Sequence, residues 1–512
     1  MFYLAFLLQY FRVSPNRAQK MNKRYLYDLE QSMKRLFLSL YFLTFCAWAA
    51  TAQTNSPLSL DKAIEMTLSQ NPNIKSAHYN EQAAVANRKA TNGLYIPQIN
   101  LIGNYSYLGK DIAINTNHLK QNITTAADDI ISSAIQTEII SQNTAAMLSN
   151  LLGEVTNLDW NYTLQKRSFG FIGTEVNVPI FLGGKINAAY RASQIEESIA
   201  KQHSQQVENS LISELIERYY ALSLITRVVQ VKEQVVAGIN KHLQDAIALE
   251  RQGMIARSEL LYVEYKMAEA ERELYDVQGE LSTTKEALKA ILSTDEDFTA
   301  ITPMFVLKAI DDITYYKLLA GNNPIISQVE LKKELSEQAV RINRAEFFPQ
   351  ITAMGVANIY NHQVSGLLPR WAVGIGVNFK IFDGLNRENK YKAAKATANE
   401  VEQIAAGVHK DINLLVDKLY NQLQNYHNRL NSIASSIRFA EEYRQAKERA
   451  FQEGLATALE LVDAELNLAK ARTERLEAAF KYDITLAKLL EAAGISINFM
   501  DYIHSSEVQI IE

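Results

Sequence analysis

The chain is written twice. Asn71-Pro72 recurs as Asn323-Pro324, and the run Ile96-Pro97-Gln98-Ile99 recurs as Phe348-Pro349-Gln350-Ile351, both at an offset of 252 residues. Farther along, the offset falls to 201: Phe181 ahead of Gly183-Gly184 matches Phe382 ahead of Asp383-Gly384, and Gly253-Met254 matches Gly454-Leu455. The difference of 51 residues marks an insertion in the first copy, between about Gly109 and Lys166. A duplicated unit of this size favours one structure built from two like halves set equivalently about an axis, with one connection enlarged.

Only nine prolines occur in 512 residues, and they fall at a few boundaries, so long helices are expected between them. Met33 to Gln53 reads as a basic start, an apolar run and a small-x-small site at Ala50-Thr51-Ala52, the pattern of a cleaved secretory signal. Residues 1–52 are therefore expected to be an upstream extension plus signal, with Met33 as the start. Cleavage there would remove Cys46, the only cysteine. The remainder divides into a first repeat over 53–302, a second over 303–496 and a C-terminal tail over 497–512. Without residues 1–52 the net charge moves from −5 to about −10, which argues against a nucleic-acid surface. After the signal no run approaches the roughly eighteen apolar residues of a membrane helix, so any crossing must use strands.

Four segments alternate with period two. Gln98 to Leu108 sets Ile99, Leu101, Gly103, Tyr105 and Tyr107 against Gln98, Asn100, Asn104 and Ser106. Trp371 to Phe382 sets Trp371, Val373, Ile375, Val377, Phe379 and Ile381 against Ala372, Gly374, Gly376, Asn378 and Lys380. The repeat partners, about 168–182 and 350–360, keep the same parity. Strands of about ten residues, apolar on one face and small or polar on the other, fit a membrane barrel. Four strands leave two open edges, and unpaired backbone groups in lipid cost several kcal/mol each, so a barrel requires several protomers.

Between the strand pairs lie helices. From Lys185 to Gln252 apolar residues step by threes and fours through Ile195, Ile199, Leu211, Leu215, Tyr219 and Leu222. From Leu459 a 3,4 spacing runs through Val462, Leu466, Ala469, Leu476, Phe480, Ala487 and Leu490, with Thr473 and Asp483 as polar exceptions. A helix of about 65 residues spans roughly 100 Å and must project far beyond a bilayer. Gly253 and Gly454 end the long helices, where glycine supplies the positive φ of a C-cap. Shorter helices are expected at about 60–70, with Ser59 as N-cap, and at 73–92, 313–319 and 324–346.

Taken together and in register, NPNI and NNPI, YIPQI and FFPQI, NVPIFLGGK and NFKIFDGLN, and LELVDAELNLAKAR resemble the TolC-like outer-membrane channels of efflux and type I secretion, over about Ser59 to Gly494. The resemblance implies a mostly α chain with a transmembrane β-barrel: a homotrimer in which each protomer gives four strands to a 12-stranded barrel and coiled-coil helices to a periplasmic α-tunnel. It implies an outer-membrane exit channel, not an enzyme, that conducts passively and works with a periplasmic adaptor (membrane fusion) protein and an inner-membrane RND or ABC pump. Ile99, Leu101, Trp371, Val373, Ile375, Val377 and Phe379 would then face outer-membrane lipid, with aromatic residues such as Tyr105, Tyr107, Phe169, Phe171 and Trp371 toward its interfaces. Glu460 and Asp463, at i and i+3 on one helix face, would line a periplasmic constriction. The arginine that the resemblance would place near Ala456 is absent. Gly253, Met254, Gly454 and Leu455 would form the adaptor-contact tips. The insertion, with AADDIISSAIQTEIISQ and AAMLSNLL, would lie outside the cell as short amphipathic helices.

No cofactor or catalytic set is expected. His78, His203, His242 and His409 lack metal-ligand spacing, and Gly374-Ile375-Gly376 runs into Val377-Asn378 as strand rather than phosphate loop. The alternative is an exported coiled-coil scaffold that conducts nothing.

Overall fold

The computed structural model describes residues 56–366 and 369–511. The expected signal segment and Cys46 lie outside the described residues.

Two long helices dominate. α5 (Lys185–Arg251) and α9 (Asn386–Gln452) have 67 residues each, related by the 201-residue offset. Each returns through a glycine turn into a shorter helix, α6 (Arg257–Leu292) or α10 (Ala458–Ala492). Ahead of them in each half come a pair of short helices, α1 (Leu60–Gln70) and α2 (Pro72–Asn92), or α7 (Ile313–Ala320) and α8 (Pro324–Ala345). Ser59 caps α1, its Oγ accepting from the Lys62 N–H at 3.3 Å.

The duplicated Asn-Pro motif has a double task. Asn71 Oδ1 accepts from the Asn73 N–H at 2.9 Å, capping α2, while its Nδ2 donates to Ile291 O at 2.8 Å near the end of α6. Asn323 does the same in the second half, accepting from Ile325 N–H at 2.8 Å and donating to Ala492 O at 2.9 Å. Proline at the first helical position costs nothing because that N–H has no intrahelical partner. The motif thus ties the start of one helix to the end of another, satisfying orphan groups on both.

The main sheet holds β2 (Gln98–Tyr107), β5 (Ser168–Leu182), β8 (Gln350–His362) and β9 (Trp371–Asn378) in that order, all antiparallel. The helices repeat the order. α5 packs against α2 and α8, and α8 against α9. Strand layer and helix layer are therefore open at matching edges, β2 with α2 on one side and β9 with α9 on the other. Between β2 and β5 the insertion adds a β3/β4 ribbon (Ile112–Asn115, Asn161–Gln165) and a pair of packed helices, α3 (Asn117–Gln136) and α4 (Gln142–Thr156).

Several elements depart from expectation. β9 stops at Asn378, so Phe379 and Ile381 lie beyond the strand. The reason is Pro349: the last pair is Gln350 with Asn378, and the residue that would face Phe379 has no N–H to give. β5 escapes this limit through a bulge at Ile180, which lets Phe181 and Leu182 pair with Ile351 and Gln350. Phe169 and Phe171 pair with Ser106 and Asn104, on the polar face rather than the apolar one. Residues expected as a tail are packed: Phe499 is fully buried, and β10 (Val508–Ile511) pairs with β7 (Met304–Leu307). A second small pair, β1 (Ser56–Leu58) with β6 (Phe298–Ala300), is held by Tyr219, whose hydroxyl donates to Leu58 O at 2.6 Å and accepts from the N–H of Ile301 and Thr302. These four strands have three or four residues each, too short for a period-two signal.

The heptad of α10 is the spine of the core. Val462, Leu476, Ala487 and Leu490 are buried, and so is the polar exception Asp483, which accepts from the Phe305 N–H at 3.3 Å and leaves its second oxygen without a partner. Burial pushes its carboxyl well above the usual range.

Candidate functional site

The first candidate surface is the sheet. Cross-strand pairing puts Ile99, Val176, Gly355 and Val373 in one row, Leu101, Thr174, Ala357 and Trp371 in the next, and Val178, Ala353 and Ile375 in a third, all on the same face. This face is bare: Ile99 is 71% exposed, Leu101 72% and Val373 76%. The opposite face carries Gln98, Asn177, Met354 and Gly374 in one row and Asn100, Glu175, Val356 and Ala372 in another. An apolar patch of this extent signals contact with lipid or protein.

At the far end are the tips. Gly253 and Gly454 take φ +72° and +71°. Met254 N–H donates to Leu249 O and Leu455 N–H to Ala450 O, at 2.9 and 2.7 Å, the 6→1 bond of a Schellman turn in both halves. Met254 and Leu455 stand exposed beyond them. Behind the tips, Val235, Ile239, Leu260, Val263, Ala458 and Val462 form a small core shared by both hairpins.

Just inside lie the acidic residues expected at a constriction, and they have different partners. Glu460 is the N3 member of a capping box with Thr457: its Oε2 accepts from the Thr457 N–H at 3.1 Å and Thr457 Oγ1 accepts from the Glu460 N–H at 3.2 Å. Its Oε1 pairs with Lys447 at 3.1 Å. The capping N–H first and Lys447 second hold this carboxyl below the usual range. Asp463 instead accepts from the Tyr262 hydroxyl at 3.3 Å, linking α10 to α6 of the other half. Burial, then Asp463, raises the Tyr262 pKa. Lys266 sits 5.6 Å from the centre of the Tyr262 ring and pairs with Glu269 at 2.7 Å.

Tyr262 and Glu259 were not singled out from sequence, although the offset of 201 that aligns the glycine turns sets Tyr262 on Asp463 and Glu259 on Glu460. That offset was the available signal. Of the histidines, His242 is buried at tip level, its pKa lowered by desolvation and by Lys241, while His409 Nε2 lies 2.9 Å from Glu330. Among the described residues no group of three or more His, Cys, Asp or Glu is placed to hold a metal ion, and no helix is long and apolar enough to cross a membrane.

Comparison with known proteins gives a consistent picture. The family model described as "Outer membrane efflux protein" matches residues 157–294 and 315–495. A similar curated protein is the cobalt-zinc-cadmium resistance protein CzcC of Cupriavidus metallidurans, 22% identical over 312 residues, which are 59% of this chain and 72% of that one. Among solved structures, the outer membrane protein VceC of Vibrio cholerae superimposes with a TM-score of 0.67 at 17% identity, over 85% of this chain and 96% of its own. The MtrE outer membrane channel of Neisseria gonorrhoeae, in its open state, gives 0.66 at 15% identity, over 86% and 89%. At such identities the likeness is one of fold.

Proposed function

Since this chain belongs to the outer membrane efflux protein family, we propose that it is the exit channel of a tripartite efflux or type I secretion assembly, with three copies closing one barrel and one tunnel. The family is one of outer-membrane channels rather than enzymes. Substrates pass unchanged, driven by an inner-membrane RND or ABC pump that reaches the tips through a periplasmic adaptor.

The observation that carries this reading is the pair of matching open edges. A four-stranded sheet whose apolar face is exposed continues into a helix layer of the same order, open on the same two sides. Closing both layers together with further copies satisfies the edge strands and covers α2 with α9, while leaving the apolar face to lipid. Three copies give twelve strands. The lumen then carries Gln98, Asn100, Glu175 and Asn177, and the apolar rows meet the hydrocarbon.

At the other end, Tyr262 and Asp463 hold the returning helices together just inside the tips, and three copies would bring six such positions around a narrowing. Met254 and Leu455 offer two similar apolar tips per protomer to an adaptor. Because the curated relative is a cobalt-zinc-cadmium resistance protein, divalent metal cations are the substrate class to assay first.

The test is fractionation. The protein should sediment with outer membranes and leave them in detergent with the mass of three chains. A soluble protein recovered without detergent would instead mark the non-conducting scaffold.

A further inference from the structure

Between the end of the sheet and the helix layer, α5 and α8 leave a groove of about 320 Å³ lined by Gly184, Asn187, Arg191, Gln338, Arg341 and Arg344, with Phe348 at its rim. Three arginines face it, and among the described residues none of their guanidinium groups has an ion pair, a hydrogen bond or a ring contact. Glu337, one turn before Arg341 on the same side of α8, does not pair with it.

Other features point the same way. α5 begins at Lys185 with no side-chain cap, Gly184 standing at the N-cap with φ +85°, so its first N–H groups are available. Arg191 stands in the second turn of that helix, on the same side as Gly184 and Ala188, so its guanidinium shares the groove with the helix start. On the floor, Gln338 is only 7% exposed and its Oε1 has no partner. Its Nε2 makes no hydrogen bond and is the accessible amide atom, so the side chain presents N–H to the groove.

The groove lies just past the last paired residues of the sheet, Leu182 with Gln350. Glu346, which takes Lys185 at 2.7 Å and Lys380 at 3.8 Å, follows Arg344 by two residues and so points the opposite way around α8. Arg341 and Arg344 therefore turn away from the Lys185–Glu346–Lys380 cluster, just past the apolar row at Phe181 and Ile351.

We propose that this groove binds the phosphate of an anionic membrane lipid at the periplasmic boundary of the barrel. The assignment of lipid rests on the outer-membrane barrel described above; the affinity for a phosphate anion rests on the groove alone. Guanidinium forks match phosphate oxygens, the α5 N-terminus adds backbone donors, and Phe348 lies beside the acyl chains.

The experiment uses the detergent-extracted protein, wild type and Arg191→Gln/Arg341→Gln, titrated with short-chain phosphatidylglycerol, phosphatidylcholine and inorganic phosphate, with retained lipid read by native mass spectrometry. The wild type should hold phosphatidylglycerol in preference to phosphatidylcholine, and each arginine removed should weaken it about tenfold. Conductance of the variant should stay at the wild-type level, which separates failure of the groove from failure of the channel reading. Equal phosphatidylglycerol retention by variant and wild type would overturn the site, and phosphate binding without lipid retention would overturn the lipid as occupant. If the double variant does not assemble, Arg191→Gln and Arg341→Gln singly carry the same comparison.

Discussion

Tyr262 and Asp463 occupy the same position of the two repeats, 201 residues apart, and their side chains meet through a 3.3 Å hydrogen bond. Equivalent residues of two halves touch only where the halves converge, so this bond marks the level at which α6 and α10 come together inside the tips. It adds a polar tie between the two returning helices to the apolar core that Leu260, Val263, Ala458 and Val462 form near the tips.

Removing the hydroxyl alone should loosen that end. Tyr262→Phe keeps the ring that carries Lys266 and deletes only the donor to Asp463. Single-channel recordings should show larger or longer openings in the variant, with thermal stability changed by about 1 kcal/mol or less, the usual worth of one such bond. Unaltered gating would place the narrowing elsewhere.

The acidic pair should not contribute equally. Glu460 is already neutralised by Lys447 and held by its cap, whereas Asp463 faces only a neutral phenol. Asp463→Ala should therefore lower cation preference, and Glu460→Ala should change it less. The order should be clearest at low ionic strength, where screening is weakest. The Glu460 carboxyl is depressed, so its capping and pairing are complete above the ordinary glutamate pKa and lost as pH falls through its lower folded value. Loosening of the second tip on acidification, followed by hydrogen exchange at Thr457 to Leu461, is the expected sign.

Asp483 titrates in the opposite sense. Its folded pKa lies above the unfolded value, so the folded protein binds the extra proton, and stability falls as pH rises from the unfolded pKa toward the folded one. Asp483→Asn mimics the protonated form. It should be at least as stable as wild type near neutral pH, and should remove up to about 1.4 kcal/mol per pH unit from the pH dependence. Denaturation followed across pH checks this; a variant clearly less stable at neutral pH would show that the charged form is the one accommodated.

The Asn-Pro motifs make a stability prediction. Asn71→Ala or Asn323→Ala removes an N-cap and leaves buried carbonyls of α6 or α10 without a donor. Each should cost about 1–2 kcal/mol. Melting temperatures of the extracted protein would register it, and a silent substitution would show that water replaces the side chain.

Much of this architecture is legible in the residues because duplication gives two independent readings of each element. The long helices, their glycine turns and the alternating face of the sheet follow from periodicity and from φ-permissive residues at fixed offsets. The truncation of β9 is hidden because alternation continues through Phe379 and Ile381, while the pairing limit sits in Pro349, just ahead of β8. The aromatic pair Phe169 and Phe171 was misplaced because residue type suggested an interface while parity puts both on the polar face. Tyr262 carries no charge or periodic signal of its own, and its role depends on a contact between halves that no local pattern contains.

Depth in the bilayer can be tested on one strand. Val373 pairs with Gly355 near the middle of β8, whereas Val377 pairs with Ile351 near its end. Val373→Arg should cost roughly 2–4 kcal/mol and Val377→Arg about 0–1 kcal/mol. Ala372→Arg, on the opposite face, should be tolerated. Yield of detergent-extracted oligomer ranks the three, and equal losses at 372 and 373 would contradict the assignment of faces.

The central claim is a trimeric conducting channel, and its most direct test is electrical. Purified protein extracted from outer membranes, reconstituted in a planar lipid bilayer, should give discrete cation-selective conductance steps that multivalent cations block from the tip side, with Asp463→Ala weakening both selectivity and block. A membrane-inserted protein that passes no ions, or steps whose selectivity and block are unchanged in Asp463→Ala at low salt, would contradict it.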